Sequence, residues 1–257
     1  MSNACRAPFV DEGRTEGRGH VGRLHASIVA AMRVEIVSDV VCPWCYIGKR
    51  RFDRAVTTLL NEGVTLDLSV SYRAYQLDPT APVDEPEPVI EAYARKFGGT
   101  TRAESIIASV TATAAEEGIE FRMDRALRAN TMQAHRLLKL VARDRPDLEA
   151  AVNESVMQAY FTDGLDIGDP AVLTACAARA GFVADTHRST IADHADDADH
   201  ADDADDELTR LVRDDLAWAA ERDITAVPTF VFNDGFAVPG AQDSTTFVRL
   251  LRKMATA

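Results

Sequence analysis

A chain of 257 residues, 46% hydrophobic and 27% charged, can bury a core as one domain or as one domain carrying an insertion. Its net charge of -13, with no basic face in view, excludes nucleic acid as an expected partner, because phosphate binding needs clustered cations. Four cysteines (Cys5, Cys42, Cys45 and Cys176) are too few for a disulfide scaffold, and no apolar run approaches the roughly 18 residues of a membrane span, so a cytosolic protein without a membrane partner is expected.

Residues 1–31 are rich in Gly and Arg without a hydrophobic period, and they read as a disordered tail. Arg33 to Ser38 alternates as a short strand, and helical spacing follows through Trp44, Ile47, Phe52, Ala55, Val56, Leu59 and Leu60, with Asn61 to Gly63 as the stop. Val64 to Ala74 then alternates with Val64, Leu66, Leu68, Val70, Tyr72 and Ala74 on one face. This is a βαβ unit with a Cys-x-x-Cys pair at its first turn.

The middle of the chain reads as helices over Pro86 to Phe97, Thr101 to Glu117, Thr131 to Asp144, Asp147 to Phe161 and Asp169 to Ala180. The last has Asp169 as N-cap, Pro170 at its first position and Gly181 as stop. The acidity is concentrated between residues 185 and 223, where fourteen Asp or Glu stand against four Arg, and HADDAD occurs twice in tandem at 194–205. A solvated acidic run explains it better than metal binding, since the turn glycine and closing glutamate of a calcium loop are missing. A helix over about 207–222, a strand at Thr229 to Phe232, a turn at Asn233 to Gly235, a strand at Phe236 to Val238 and a helix from Asp243 to Met254 complete the chain.

The CPWC segment carries the chemistry. Cys42 falls at a helix N-terminus, where unpaired N–H groups and the helix dipole favour a thiolate, and Pro43 suits the first turn because it has no N–H to lose. Cys45, one turn on, can resolve a mixed disulfide formed at Cys42, so Cys42 is expected to attack from the exposed end and Cys45 from beneath. Asp39 could accept a proton from Cys45 if it is buried. The alternative is a plain surface acid at the strand end.

Four segments, SDVVCPWCYIG (38–48), YQLDP (75–79), NTMQAHRL (130–137) and TAVPTFVF (225–232), closely resemble the DsbA-like branch of the thioredoxin fold, in particular the cytosolic FrnE-type oxidoreductases. The likeness covers about residues 32–255. It implies an α/β fold with a thioredoxin-like N-terminal half at 32–80, a large helical insertion at 81–206 and a C-terminal half at 207–257. It implies a cis bond between Val227 and Pro228 facing the cysteines, its exposed backbone pairing with an extended substrate. Pro43, Trp44, Val227, Asn130 and His135 become candidate substrate contacts, although Trp44 could pack under the insertion and His135 could be a satisfied structural histidine. Asp223 stands where the family usually carries glycine, which puts the turn there in question.

The resulting expectation is an enzyme, a thiol-disulfide oxidoreductase or isomerase acting on protein or small-molecule thiols and disulfides. It needs no bound metal or organic cofactor, with glutathione as a possible co-substrate. One rival is an isomerase or glutathione-transferase-like enzyme, but those relatives characteristically carry serine where Cys42 stands. The other is a structural zinc site, whose nearest completing ligands are His20 and His25 in the tail. Cys176 reads as a small buried residue and Cys5 as incidental. The acidic repeat offers little apolar surface to pack. Deleting residues 194–205 is therefore expected to alter solubility and salt response while leaving model-disulfide turnover near wild type, as a rate assay at two salt concentrations would show.

Overall fold

The computed structural model describes residues 31–83, 86–183 and 207–255; the tail with Cys5, His20 and His25, and the HADDAD repeat, lie outside the described residues. A four-stranded sheet has the order β2-β1-β5-β6. β1 (Ala31–Ser38) runs parallel to β2 (Asp67–Ala74) and antiparallel to β5 (Thr229–Phe232), which pairs with β6 (Phe236–Pro239). The β2 ladder starts at Asp67, three residues after the alternation begins. Val64 and Leu66 nonetheless pack against the same core.

α1 (Pro43–Asn61) connects the parallel strands and α8 (Ser244–Ala255) covers the same face. Val34, Ile36, Phe52, Leu59, Phe230, Phe247 and Leu251 form the core between them. The rings of Phe52, Phe230 and Phe247 pack pairwise at 4.7 to 5.4 Å between centroids, within the range of favourable aromatic contact. Gly63, with φ of +80°, ends α1 as its stop signal requires. Asp223 ends α7 (Glu207–Glu221) with φ of +53°, while the N–H groups of Asp223 and Ile224 bond to the carbonyls of Ala220 and Ala219. Aspartate is among the few residues that tolerate this left-handed conformation, so the glycine's turn survives its replacement.

A second core is built by α2 (Val89–Phe97), α3 (Thr100–Glu116), α4 (Met132–Asp144), α5 (Glu149–Gln158) and α6 (Pro170–Arg179), all lying between β2 and α7 in the chain. Two details depart from the periodicity. Residues 86–88 are extended because Pro88 keeps Glu87 out of the helical region, and Glu87–Pro88 (β3) pairs with Leu127–Arg128 (β4) in a two-stranded sheet. The helix expected over 147–161 is a 3-10 turn at Pro146–Leu148, α5, and a π-turn at Ala159–Asp163 that hands the Phe161 carbonyl to the Arg122 N–H at 2.7 Å.

The helical layer is latched to the sheet by charge. Arg73 of β2 bonds to Glu35 of β1 at 2.9 Å and to Asp215 of α7 at 2.9 Å, and its guanidinium stacks on Trp218 at 4.1 Å. Buried Asp215 also takes the Ala74 N–H at 2.9 Å and pairs with Lys139 of α4. Glu149, only 3% exposed at the start of α5, accepts the Tyr72 N–H at 3.3 Å. Burial pushes its carboxyl up to about 7 against the opposing pull of Lys139. The folded state thus holds this proton more tightly than the unfolded chain does. The stability it confers is whole below about pH 4.5 and is lost as pH rises through about 7. Glu149→Gln should match wild type near pH 4.5 and become more stable than wild type by up to roughly 3 kcal/mol above pH 7, read by denaturant titration across that range.

Candidate active site

β1 ends at Ser38, and the Cys42 N–H bonds back to the Asp39 carbonyl at 3.0 Å, turning the chain so that α1 starts with Cys42 as its N-cap. Pro43 takes the first helical position at no hydrogen-bonding cost. Cys42 and Cys45 are both free thiols. The expectation that Cys42 stands exposed is corrected: it is 4% exposed and Cys45 1%, because the helical layer closes over the start of α1 and takes both into its core. Pro43 is buried as well, whereas Trp44 is 43% exposed beside them.

The loop before β5 completes the site. The Val227–Pro228 peptide is cis, and the Cys42 thiol donates to the Val227 carbonyl across 3.7 Å. α1 approaches this loop closely because residue 48 is glycine. A Cβ there would lie 2.9 Å from the Pro228 Cγ and 3.4 Å from the Ala241 Cα.

The environment of Cys45 differs from the expectation built on Asp39. Burial first, and then the neighbouring Cys42, push the Cys45 thiol well above its ordinary value. Asp39 is fully buried, but its carboxylate turns to the Leu77 N–H at 2.8 Å and the His135 ring at 3.2 Å. Ser38 and the Asp39 backbone oppose the rise at Cys45 without cancelling it. His135 Nε2 lies 2.9 Å from the Tyr75 carbonyl as well as near Asp39; two acceptors fix that nitrogen as the protonated one.

His135 and Asn130, expected as substrate contacts, direct their hydrogen bonds inward. Asn130 donates to the Ala81 carbonyl at 3.1 Å and accepts the Met132 N–H at 3.0 Å. Neither lines a cavity of about 360 Å3 whose walls include Val41, the residue before Cys42. Val41, Val89, Tyr93 and Tyr160 give it apolar walls, and of the cations on it, Arg128 pairs with Asp78 and Glu87 and Arg95 with Glu87, with Lys96 beside them. Burial, helped by the charge of Cys42, pushes the Tyr93 hydroxyl up to about 12, and the Tyr160 hydroxyl is raised in the same way. Cys176 is buried elsewhere, beside Ser155 and Arg179. Among the described residues, no group of three or more His, Cys, Asp or Glu is placed to hold a metal ion, and no helix is long and apolar enough to cross a membrane.

A parallel-antiparallel sheet with a Cys-x-x-Cys pair at the start of its first helix, facing a proline loop, defines the thioredoxin-fold thiol proteins. Within that class the chain belongs to the DSBA-like thioredoxin domain family, which matches residues 33–252. Its structure is similar to that of a probable DsbA oxidoreductase from Streptomyces coelicolor, with 31% identity, TM-score 0.73 and coverage of 87% of this chain and 89% of that one. A 2-hydroxychromene-2-carboxylate isomerase shares the fold at 14% identity and TM-score 0.56, over 86% of this chain and 97% of that one. The uncharacterized Bacillus subtilis protein YwbO is 24% identical over 86% of this chain and 96% of its own length.

Gly48→Ala should lower stability by about 1–3 kcal/mol through overpacking against Pro228 and slow turnover of a model disulfide. Gly235→Ala, whose methyl would meet nothing nearer than 3.9 Å, serves as the neutral control in the same thermal melts and rate assays.

Proposed function

We propose that this protein is a thiol-disulfide oxidoreductase of the FrnE type in which Cys42 forms a mixed disulfide with substrate and Cys45 resolves it. The observation that carries this reading is the stacking of two free thiols at the head of α1, with the Val227 carbonyl 3.7 Å from the Cys42 sulfur. Cys42 lies nearer the surface and next to the proline loop, so an incoming sulfur meets it first. Cys45 lies deeper, beside Cys42, which suits the resolving role.

The substrates are thiols or disulfides of proteins or small molecules. Val227 offers a backbone edge for an extended segment, and the exposed Trp44 ring offers contact area beside it. The cavity that Val41 helps to line has the size of a small-molecule site, and Lys96 on its wall suits a carboxylate-bearing thiol such as glutathione as co-substrate. No bound metal or organic cofactor is needed, since the dithiol itself takes up or gives the two electrons. Sulfur rather than oxygen at position 42 favours this chemistry over the isomerase reading, and Cys176, a buried thiol left unpaired, fits a reducing compartment such as the cytosol.

Cys42→Ser should abolish turnover of a model disulfide, whereas Cys45→Ser should accumulate a covalent adduct at Cys42, with mass spectrometry of the trapped protein reporting which sulfur carries it. Adducts found at Cys45 in a Cys42→Ser variant at the same yield would reverse the assignment.

A further inference from the structure

One face of α2 carries Val89, Ala92, Tyr93 and Lys96 at helical spacing, and all four line the cavity of about 360 Å3. Val41, Leu77 and Tyr160, the last carried on the π-turn after α5, add to its apolar wall. Such π-turns are frequent at functional sites. The cavity is tied to the cysteines through its own lining. Val41 precedes Cys42 in the chain, and Val41 and Tyr93 pack against the core that holds Cys42, Cys45, Val89 and Tyr160. The other charges at this wall cancel in pairs. Arg128 bonds to Asp78 at 2.8 Å and to Glu87 at 2.9 Å, and Arg95 pairs with the same Glu87. Lys96 is exposed and pairs with no acid among the described residues, its Nζ standing 5.9 Å from the centre of the Phe97 ring. What remains is one cation at the edge of an apolar cavity, on a chain whose net charge is -13.

We propose that this cavity takes an aryl or branched alkyl group bearing a single carboxylate, and that small thiols or disulfides built on such a group are substrates of the cysteine pair, with Lys96 selecting the carboxylate. The inference rests on the dithiol reading given above. A cavity of this size holds a group of about one or two rings. Its apolar wall rewards burial of hydrocarbon. Glutathione satisfies Lys96, but its amide and ammonium groups would lie unpaired against Val41, Leu77 and Val89, so a substrate with a hydrocarbon body is preferred over it. One uncompensated cation matches one carboxylate. A second carboxylate on the same group would meet Asp78, Glu87 and the field of an acidic chain. Reduction of such a disulfide passes two electrons from the two thiols to its S–S bond. The Cys42–Cys45 bond forms, and the two thiol protons end on the two released thiols.

Binding and chemistry are read separately on the reduced full-length protein. Calorimetric titration with 2-naphthoate, which has no sulfur to react, should show one site. Lys96→Gln should weaken it about fivefold, as expected for one exposed ion pair, and Lys96→Arg should retain it. Ala92→Trp, which fills the cavity from a half-buried position, should abolish binding, with thermal melts confirming that each variant is folded. The uncharged 2-naphthalenemethanol should bind wild type and Lys96→Gln alike. In single-turnover mixing, an aromatic disulfide with one carboxylate on each ring should half-saturate at lower concentration than oxidised glutathione, and 2-naphthoate should compete with it. Failure of 2-naphthoate to bind, or equal binding to Ala92→Trp, overturns the site and leaves the dithiol reading intact. Binding without competition, or an aromatic disulfide whose half-saturation Lys96→Gln does not raise, overturns the cavity as the substrate site. Binding of 2-naphthoate to a wild-type protein that reduces neither disulfide sinks the dithiol reading, and the substrate assignment with it.

Discussion

α1 is the constraint on which the rest of the structure depends, because one helix is buried in two cores at once. Its first turns, with Cys45, Tyr46 and Ile47, lie in the core of the helical layer, and Phe52, Ala55 and Leu59 lie in the core beneath the sheet. A rigid helix of nineteen residues held at both ends fixes the position of its N-terminus, and the cysteines sit there. The tie is reinforced along its length. Lys49 bonds to Asp53 and to Glu154 of α5 at 2.7 and 2.9 Å, and Arg51 joins Glu117, at the end of α3, to the Ala241 carbonyl near the C-terminal helix. Tyr46 donates to the same Glu154 at 2.8 Å.

The same burial sets the electrostatics of the site. With water excluded, ionising Cys45 or Glu149 is penalised, and only a hydrogen bond or an opposite charge in contact offsets that penalty. Asp39 and Asp215 show the compensated case. The first is bonded by a backbone N–H and a histidine, the second by a backbone N–H, an arginine and a lysine. Both acids close the loop and strand edge that follow β2, so the charges that support the site also fasten the helical layer to the sheet.

The helical layer gives the dithiol its setting. A cysteine at a helix start in a bare βαβ unit would face solvent. Here it lies in the core of the helical layer, in which Tyr160 is buried and against which Tyr93 packs. His135 and Asn130 serve that arrangement from behind by holding the segment from Tyr75 to Ala81 in place.

The sequence alone determined the order of elements, since period-2 and period-3.6 patterns are local properties of the chain, and proline and glycine mark helix ends wherever they fold. It also marked out the cysteine pair, because Cys-Pro-Trp-Cys after a strand is a local motif. What it could not carry was contact between distant segments. That the Asp39 carboxylate is engaged depends on Leu77 and His135, 38 and 96 residues later in the chain, claiming it. That Cys42 is covered depends on the core of the helical layer, whose α3 returns to α1 from more than fifty residues away. The need for glycine at position 48 is likewise set by Pro228, a residue 180 positions later in the chain, because only the packed structure brings the two within van der Waals distance.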